Sequence, residues 1–177
     1  GFTVIGLDVC ALDDVAPNAL FVFNERRKVS RGSATANGIV DSLRKALPSL
    51  VGGQHGDWTV SQADEFSYTD PVDGSIATGQ GLRIVFGDAA RIILRLSGTG
   101  TEGATLRLYL ERYEADPSRL DELPQSALAE LAELAEGLAS IRIHTGMAGP
   151  TVVTETRLDG TQEPTETSME DSTANTA

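Results

Sequence analysis

A short glycine-rich segment flanked by arginines holds the residue types that bind phosphate. The candidate residues are Arg95, Ser97, Gly98, Thr99, Gly100 and Arg107. The two glycines can turn consecutive backbone N–H groups toward one point, which forms a concave anion site. The serine and the threonine add hydroxyl donors, and each guanidinium group can match two phosphate oxygens at once. This set predicts a site for phosphate or carboxylate.

The segments on either side predict two strands with the glycines in the connection between them. With a period of two, Arg91 and Arg95 share one strand face, and the isoleucine and leucines between and beside them share the other. Arg107 alternates with leucines in the same way. The alternative is an ordinary hairpin turn with surface arginines, but two converging arginines in a chain of formal net charge -12 favour the anion site.

Composition describes one acidic, soluble domain of 177 residues, of which 40% are hydrophobic and 5% aromatic. No apolar run is long enough to span a membrane, and the first residues lack the basic leader of a signal peptide. The lone cysteine, Cys10, excludes an internal disulfide and favours a reducing, cytoplasmic compartment. The acidic balance argues against nucleic acid as a partner, since phosphate backbones need an extended basic surface. A small anion is the expected ligand.

Several separate segments, in the right order, closely resemble the C-terminal domain of phosphoglucomutases in the α-D-phosphohexomutase superfamily. The resemblance covers about residues 34–154 and is carried by residues 36–37, 39–47, 58–69, 70–75, 80–86, 91–111, 113–116, 141–146 and 149–154. It implies that the candidate residues listed above grip the phosphate of a sugar phosphate, glucose 1-phosphate or glucose 6-phosphate. It also implies that other domains of the complete enzyme supply a phosphorylated serine and a Mg²⁺ loop, so no cofactor is expected on this chain.

The catalytic groups that the resemblance would require elsewhere are not recognisable here. Neither His55 nor His144 follows a serine. The best metal candidates are residues 13–14 and the pair Asp70 and Asp73, and residues 70–74 are better interpreted as a turn because of their proline and glycine. We therefore expect no turnover from this chain alone. It could be a fragment or split part of an isomerase, a stand-alone phosphosugar-binding or regulatory module, or a non-functional remnant.

The pattern of elements predicts an α+β fold, an antiparallel β-sheet covered on one face by two helices. The family domain has this TATA-binding-protein-like shape. One helix is predicted over residues 34–50, strands over 57–113, and a long helix from Pro124 onward. Residues 1–33 are interpreted as a divergent extension or linker. Residues 155–177, acidic and nearly free of apolar side chains, are predicted to be a disordered tail.

Overall fold

A computed structural model describes residues 22–31, 33–100, 103–119, 122–150, 152–156 and 162–165. Its main element is a seven-stranded antiparallel sheet with the strand order β4-β5-β6-β7-β1-β8-β9. The strands of the sheet are β1 (Val22–Arg31), β4 (Gln62–Thr69), β5 (Ile76–Phe86), β6 (Ala90–Gly100), β7 (Gly103–Tyr113), β8 (Val152–Thr156) and β9 (Gln162–Thr165). A separate two-stranded hairpin consists of β2 (Gln54–His55) and β3 (Trp58–Thr59).

Helices cover the sheet face that carries the alternating leucines and isoleucines. They are α1 (Ser33–Leu50), α2 (Pro124–Ala127), α3 (Ala129–Ala139) and α4 (Ile141–Thr145). Leu82, Leu94 and Leu110 from the sheet pack in one core with Ile39 of α1 and Leu131 of α3. This arrangement, which buries one apolar sheet face under helices, confirms the predicted α+β class.

The long helix predicted after Pro124 is divided into three shorter ones. Leu128 separates α2 from α3, and Ser140, at φ 50°, separates α3 from α4. A left-handed residue ends a helix because its carbonyl no longer points along the helix axis. The predicted apolar stripe survives the interruptions, since Leu128, Leu131 and Ile141 are all buried.

Part of the predicted extension or linker at residues 1–33 is a strand of the sheet. Residues 22–31 form β1, which lies between β7 and β8 and pairs with β7 along its whole length. The sequence of β1 does not predict a strand, because it is polar and basic and lacks the apolar alternation by which strands are recognised. Residues 1–21 lie outside the described residues.

Two short pieces of the predicted tail at residues 155–177 are strands. Residues 155–156 belong to β8, and Gln162–Thr165 forms β9, which pairs with β8 from Val153 to Thr156. Pro164 is compatible with this position, because β9 is the last strand of the sheet and a proline there interrupts no second ladder. The other residues of the predicted tail lie outside the described part of the chain.

Candidate functional site

Arg95 and Arg107 lie directly opposite each other on β6 and β7. The neighbouring register pairs, Leu94 with Leu108 and Leu96 with Leu106, face the helix-covered core, so the arginines belong to the other face of the sheet. Side chains in directly opposed positions have Cβ atoms about 4.5–5.5 Å apart, and like charges there destabilise a sheet. An anion held between the two guanidinium groups would relieve this repulsion.

At least one of the two arginines has a donor available for such an anion. Both side chains are half-buried. Arg107 Nε is shielded from solvent and has no hydrogen-bond partner among the residues that the structure describes. A shielded donor without an acceptor is unfavourable, so this atom favours a ligand that accepts a hydrogen bond. Arg95 Nη2 donates to Gln80 Oε1 at 3.1 Å.

The glycine-rich segment is the bulged end of a strand, whereas the sequence predicted a connection between strands. β6 continues through Gly100, which pairs with Gly103 of β7. The register shifts between Ser97 and Gly100, so that residues 98–99 oppose Ala104 alone. This β-bulge bends the strand and leaves backbone groups unpaired, which suits the predicted anion site. The side chains of residues 97–100 and the connecting residues 101–102 lie outside the described part.

The arginines lie where the sheet divides into two hairpins. In the described ladder between β5 and β6, the last pair is Leu82 with Leu94. Beyond it, β5 pairs only with β4 as far as Ile76, and β6 pairs only with β7 as far as Gly100. We call this division between the β4–β5 and β6–β7 hairpins the fork. Arg95 is the first residue of β6 past the fork.

A third basic residue occupies the same row of the sheet. Lys28 of β1 is the register partner of Arg107, so the row across β6, β7 and β1 reads Arg95, Arg107, Lys28. Sequence analysis did not single out Lys28, because the pairing of β1 is a property of the folded sheet. The only signal was the basic run at residues 26–28.

Arg91, on the same face of β6 as Arg95, has a structural role instead. It is 1% exposed, and its Nε donates to Glu111 Oε2 on the opposing position of β7. Burial raises the pKa of the Glu111 carboxyl, and the guanidinium of Arg91 opposes that rise. The pair is therefore a buried element of the sheet and distinct from the half-buried arginines at the fork.

The carboxylates of Asp70 and Asp73 stabilise a turn, as the sequence interpretation favours. Asp70 Oδ1 accepts from the backbone N–H of Val72, and Asp73 Oδ1 accepts from that of Ser75, both at 2.8 Å. The hydrogen bonds from Ser75 lower the pKa of Asp73. Within the described ranges, no three His, Cys, Asp or Glu side chains are grouped so that they could hold a metal ion.

A cavity with both apolar and charged lining residues lies elsewhere in the molecule, between the sheet and the helices α3 and α4. Leu106 and Leu108 of β7 line it together with Ile141 and Met147. Because these leucines point to the helix-covered face, the cavity is on the opposite side of the sheet from Arg95 and Arg107. It is not part of the candidate site.

Comparisons with known proteins identify the family. Residues 29–151 match the family model for the C-terminal domain of phosphoglucomutase-1. A phosphoglucomutase of Rhizobium radiobacter is 52% identical over 122 residues, which are 69% of this chain and 22% of that protein. A chloroplastic phosphoglucomutase of Arabidopsis thaliana is 48% identical over 123 residues, covering 69% of this chain and 20% of that protein. The chain thus spans about a fifth of the length of these relatives.

A solved structure agrees in fold. The crystal structure of parafusin, an exocytosis-sensitive phosphoprotein and phosphoglucomutase from Paramecium in its open form, superposes with a TM-score of 0.65 at 36% identity. The match covers 76% of this chain and 23% of that one. Sequence and fold therefore agree that this chain belongs to the phosphoglucomutase family and corresponds to the C-terminal domain of its members.

Proposed function

We propose that this domain binds the phosphate group of a sugar phosphate at the fork of its sheet. The residues proposed to bind it are Arg95, Ser97, Gly98, Thr99, Gly100 and Arg107. The observation that carries the proposal is that Arg95 and Arg107 are direct register partners on neighbouring strands. In addition, Arg107 Nε is shielded from solvent and finds no hydrogen-bond acceptor among the described residues. A phosphate dianion neutralises both guanidinium groups and accepts hydrogen bonds from each.

The role of such a site is to position the substrate. The proposed substrates are glucose 1-phosphate and glucose 6-phosphate, which a complete phosphoglucomutase, an isomerase of carbohydrate metabolism, interconverts. Holding one end of the sugar phosphate presents its other end to the catalytic groups, and phosphoryl transfer gains mainly from positioning and charge neutralisation. Arg95 and Arg107 contribute both effects without making or breaking a bond.

In this proposal the phosphorylated serine and Mg²⁺ belong to other domains, acting in cis or in trans. This chain alone should therefore bind substrate without turnover. A cytoplasmic location is also part of the proposal. Separately, none of the helices in the described residues has the length and apolar composition of a membrane span.

Calorimetric titration with glucose 1-phosphate tests the site. Arg95→Ala and Arg107→Ala should each weaken binding by about 1.5–3 kcal/mol, the range for a charge-assisted hydrogen bond, or roughly 10- to 150-fold. Arg142→Ala is the matched control, because Arg142 is an exposed arginine of α4 that pairs with Glu133. Equal affinities for the wild type and both fork variants would refute the proposal.

A mixing experiment tests the contribution to catalysis. The chain is added to a phosphoglucomutase from which the C-terminal domain has been removed, and conversion of glucose 1-phosphate is followed. Turnover that appears only on mixing supports a domain that works in trans. Tight binding of glucose 1-phosphate without rescue would support the stand-alone binding module instead.

A further inference from the structure

The side-chain amide of Gln80 is held at both ends. Its Oε1 accepts from Arg95 Nη2 at 3.1 Å, and its Nε2 donates to the backbone oxygen of Thr78 at 3.2 Å. A guanidinium group can only donate and a carbonyl oxygen can only accept, so both partners require the same orientation of the amide. The backbone of β5 thereby fixes the amide, and the amide in turn fixes the head of Arg95.

A β-bulge places Gln80 in this position. Phe66 of β4 pairs with Gly81, but Tyr68 pairs with Ala77, so residues 78–80 of β5 oppose Ser67 alone. Strict alternation would put Gln80 on the helix-covered face, together with Leu82. The bulge turns the Gln80 side chain toward Arg95 across the fork. Bulges beside functional sites often change the direction of a side chain in this way.

Gly81, the residue after Gln80, packs against the aliphatic part of the Arg95 side chain. A Cβ atom on Gly81 would lie 2.7 Å from Arg95 Cγ, which is closer than carbon atoms can approach. Only glycine at position 81 therefore allows the aliphatic part of Arg95 to pack directly on the backbone of β5. Gln80 and Gly81 together constrain the head and the stem of Arg95.

We propose that Gln80 is a positioning residue, which orients the Arg95 guanidinium for the substrate phosphate. This inference rests on the proposed function of the fork. A long arginine side chain that is already ordered loses less conformational freedom when the phosphate binds, so the gain appears as affinity. The positioning role requires no contact between Gln80 and the phosphate, because Gln80 acts through its hydrogen bond with Arg95.

The test is a double-mutant cycle with glucose 1-phosphate as the titrant. Gln80→Met keeps the length of the side chain but removes its acceptor, and should weaken binding by about 3- to 10-fold, the cost of ordering one flexible side chain. In the Arg95→Ala background the same change should have no further effect, because Gln80 acts only through Arg95. Gln125→Met is the control, since Gln125 is an exposed residue of α2.

A spectroscopic measurement reports the positioning itself. With ¹⁵N-labelled arginine, rotation of the Arg95 guanidinium should be faster in Gln80→Met than in the wild type. Gln80→Asn, whose side chain is shorter by one methylene group, should behave like Gln80→Met. Urea unfolding of each variant shows whether it is folded.

The outcomes separate the two proposals. Impaired binding in Arg95→Ala with wild-type binding in Gln80→Met overturns the role of Gln80 and leaves the phosphate site intact. An equal loss from Gln80→Met with and without Arg95 also overturns it, because Gln80 would then act independently of Arg95. Wild-type binding in Arg95→Ala overturns the role of Gln80, and wild-type binding in Arg107→Ala as well overturns the phosphate site.

Discussion

Replacing Gly81 by alanine should displace the Arg95 side chain. The new methyl group would lie 2.7 Å from Arg95 Cγ, 2.9 Å from the backbone oxygen of Leu94 and 3.0 Å from Phe66 Cε1. Leu94 and Phe66 are buried, so neither can move far, whereas the half-buried Arg95 can. Inserting a methyl group into a packed site costs about 1–3 kcal/mol, which is the loss of unfolding free energy we expect.

The same displacement should weaken binding of glucose 1-phosphate. A shifted Arg95 loses its charge-assisted hydrogen bond to the phosphate, worth about 1.5–3 kcal/mol, so affinity should fall roughly 10- to 150-fold. Arg95→Ala, which removes the guanidinium altogether, sets the upper limit for the loss that Gly81→Ala can cause through Arg95.

Urea unfolding and calorimetric titration of the same samples measure the two effects. Gly137→Ala is the matched control: position 137 has open space around it, and alanine in the interior of α3 should stabilise the protein by about 0.5–1 kcal/mol. If folded Gly81→Ala binds glucose 1-phosphate as tightly as the wild type, packing against β5 does not position Arg95 for binding.

Two further predictions concern ion pairs of the sheet. Glu111→Gln removes the carboxylate that pairs with the buried Arg91 guanidinium and should lower the free energy of unfolding by about 3–5 kcal/mol, measured by urea unfolding; a change near zero would contradict a buried ionic pair. Hydrogen bonds from Arg83 lower the pKa of Asp64 in the folded protein. The pair therefore stabilises the fold at pH values above the unfolded pKa of about 3.9. This stabilisation is lost as the pH falls through the lower pKa that Asp64 has in the folded protein. Thermal unfolding of the wild type and Asp64→Asn should therefore differ at pH 6, by about 1 kcal/mol or less for this half-exposed pair, and converge toward pH 2; a constant difference would be inconsistent with the pair.

Local patterns in the sequence predict the fold class and the shared face of the two arginines. Arg95 and Arg107 alternate with leucines, and one buried face of a sheet is enough to set that alternation. The register that brings them directly opposite each other depends on the bulge at residues 98–99 and on the short connection after it. Strand periodicity carries no information on either.

Residues whose roles depend on distant partners could not be predicted. Gln80 reaches Arg95 only because three residues of β5 oppose one residue of β4, and that count is defined only once the strands have paired. Lys28 lies in a strand without apolar alternation, and its position in the sheet is set by the pairing of β1 with β7. Ser140 interrupts a stripe that reads as one continuous helix, since serine has no strong preference for the left-handed conformation.

The central position of β1 affects how the domain folds. Strands β4 to β7 follow one another along the chain and can pair through short connections, but β1 precedes them all and joins β7 on one side and β8 on the other. Glu25 opposes Glu155, which brings together segments that are far apart in sequence. Such non-local contacts carry the largest loop-closure entropy and slow folding. The β4–β7 meander can therefore form early, while completion of the sheet waits until β8 and β9 have been synthesised.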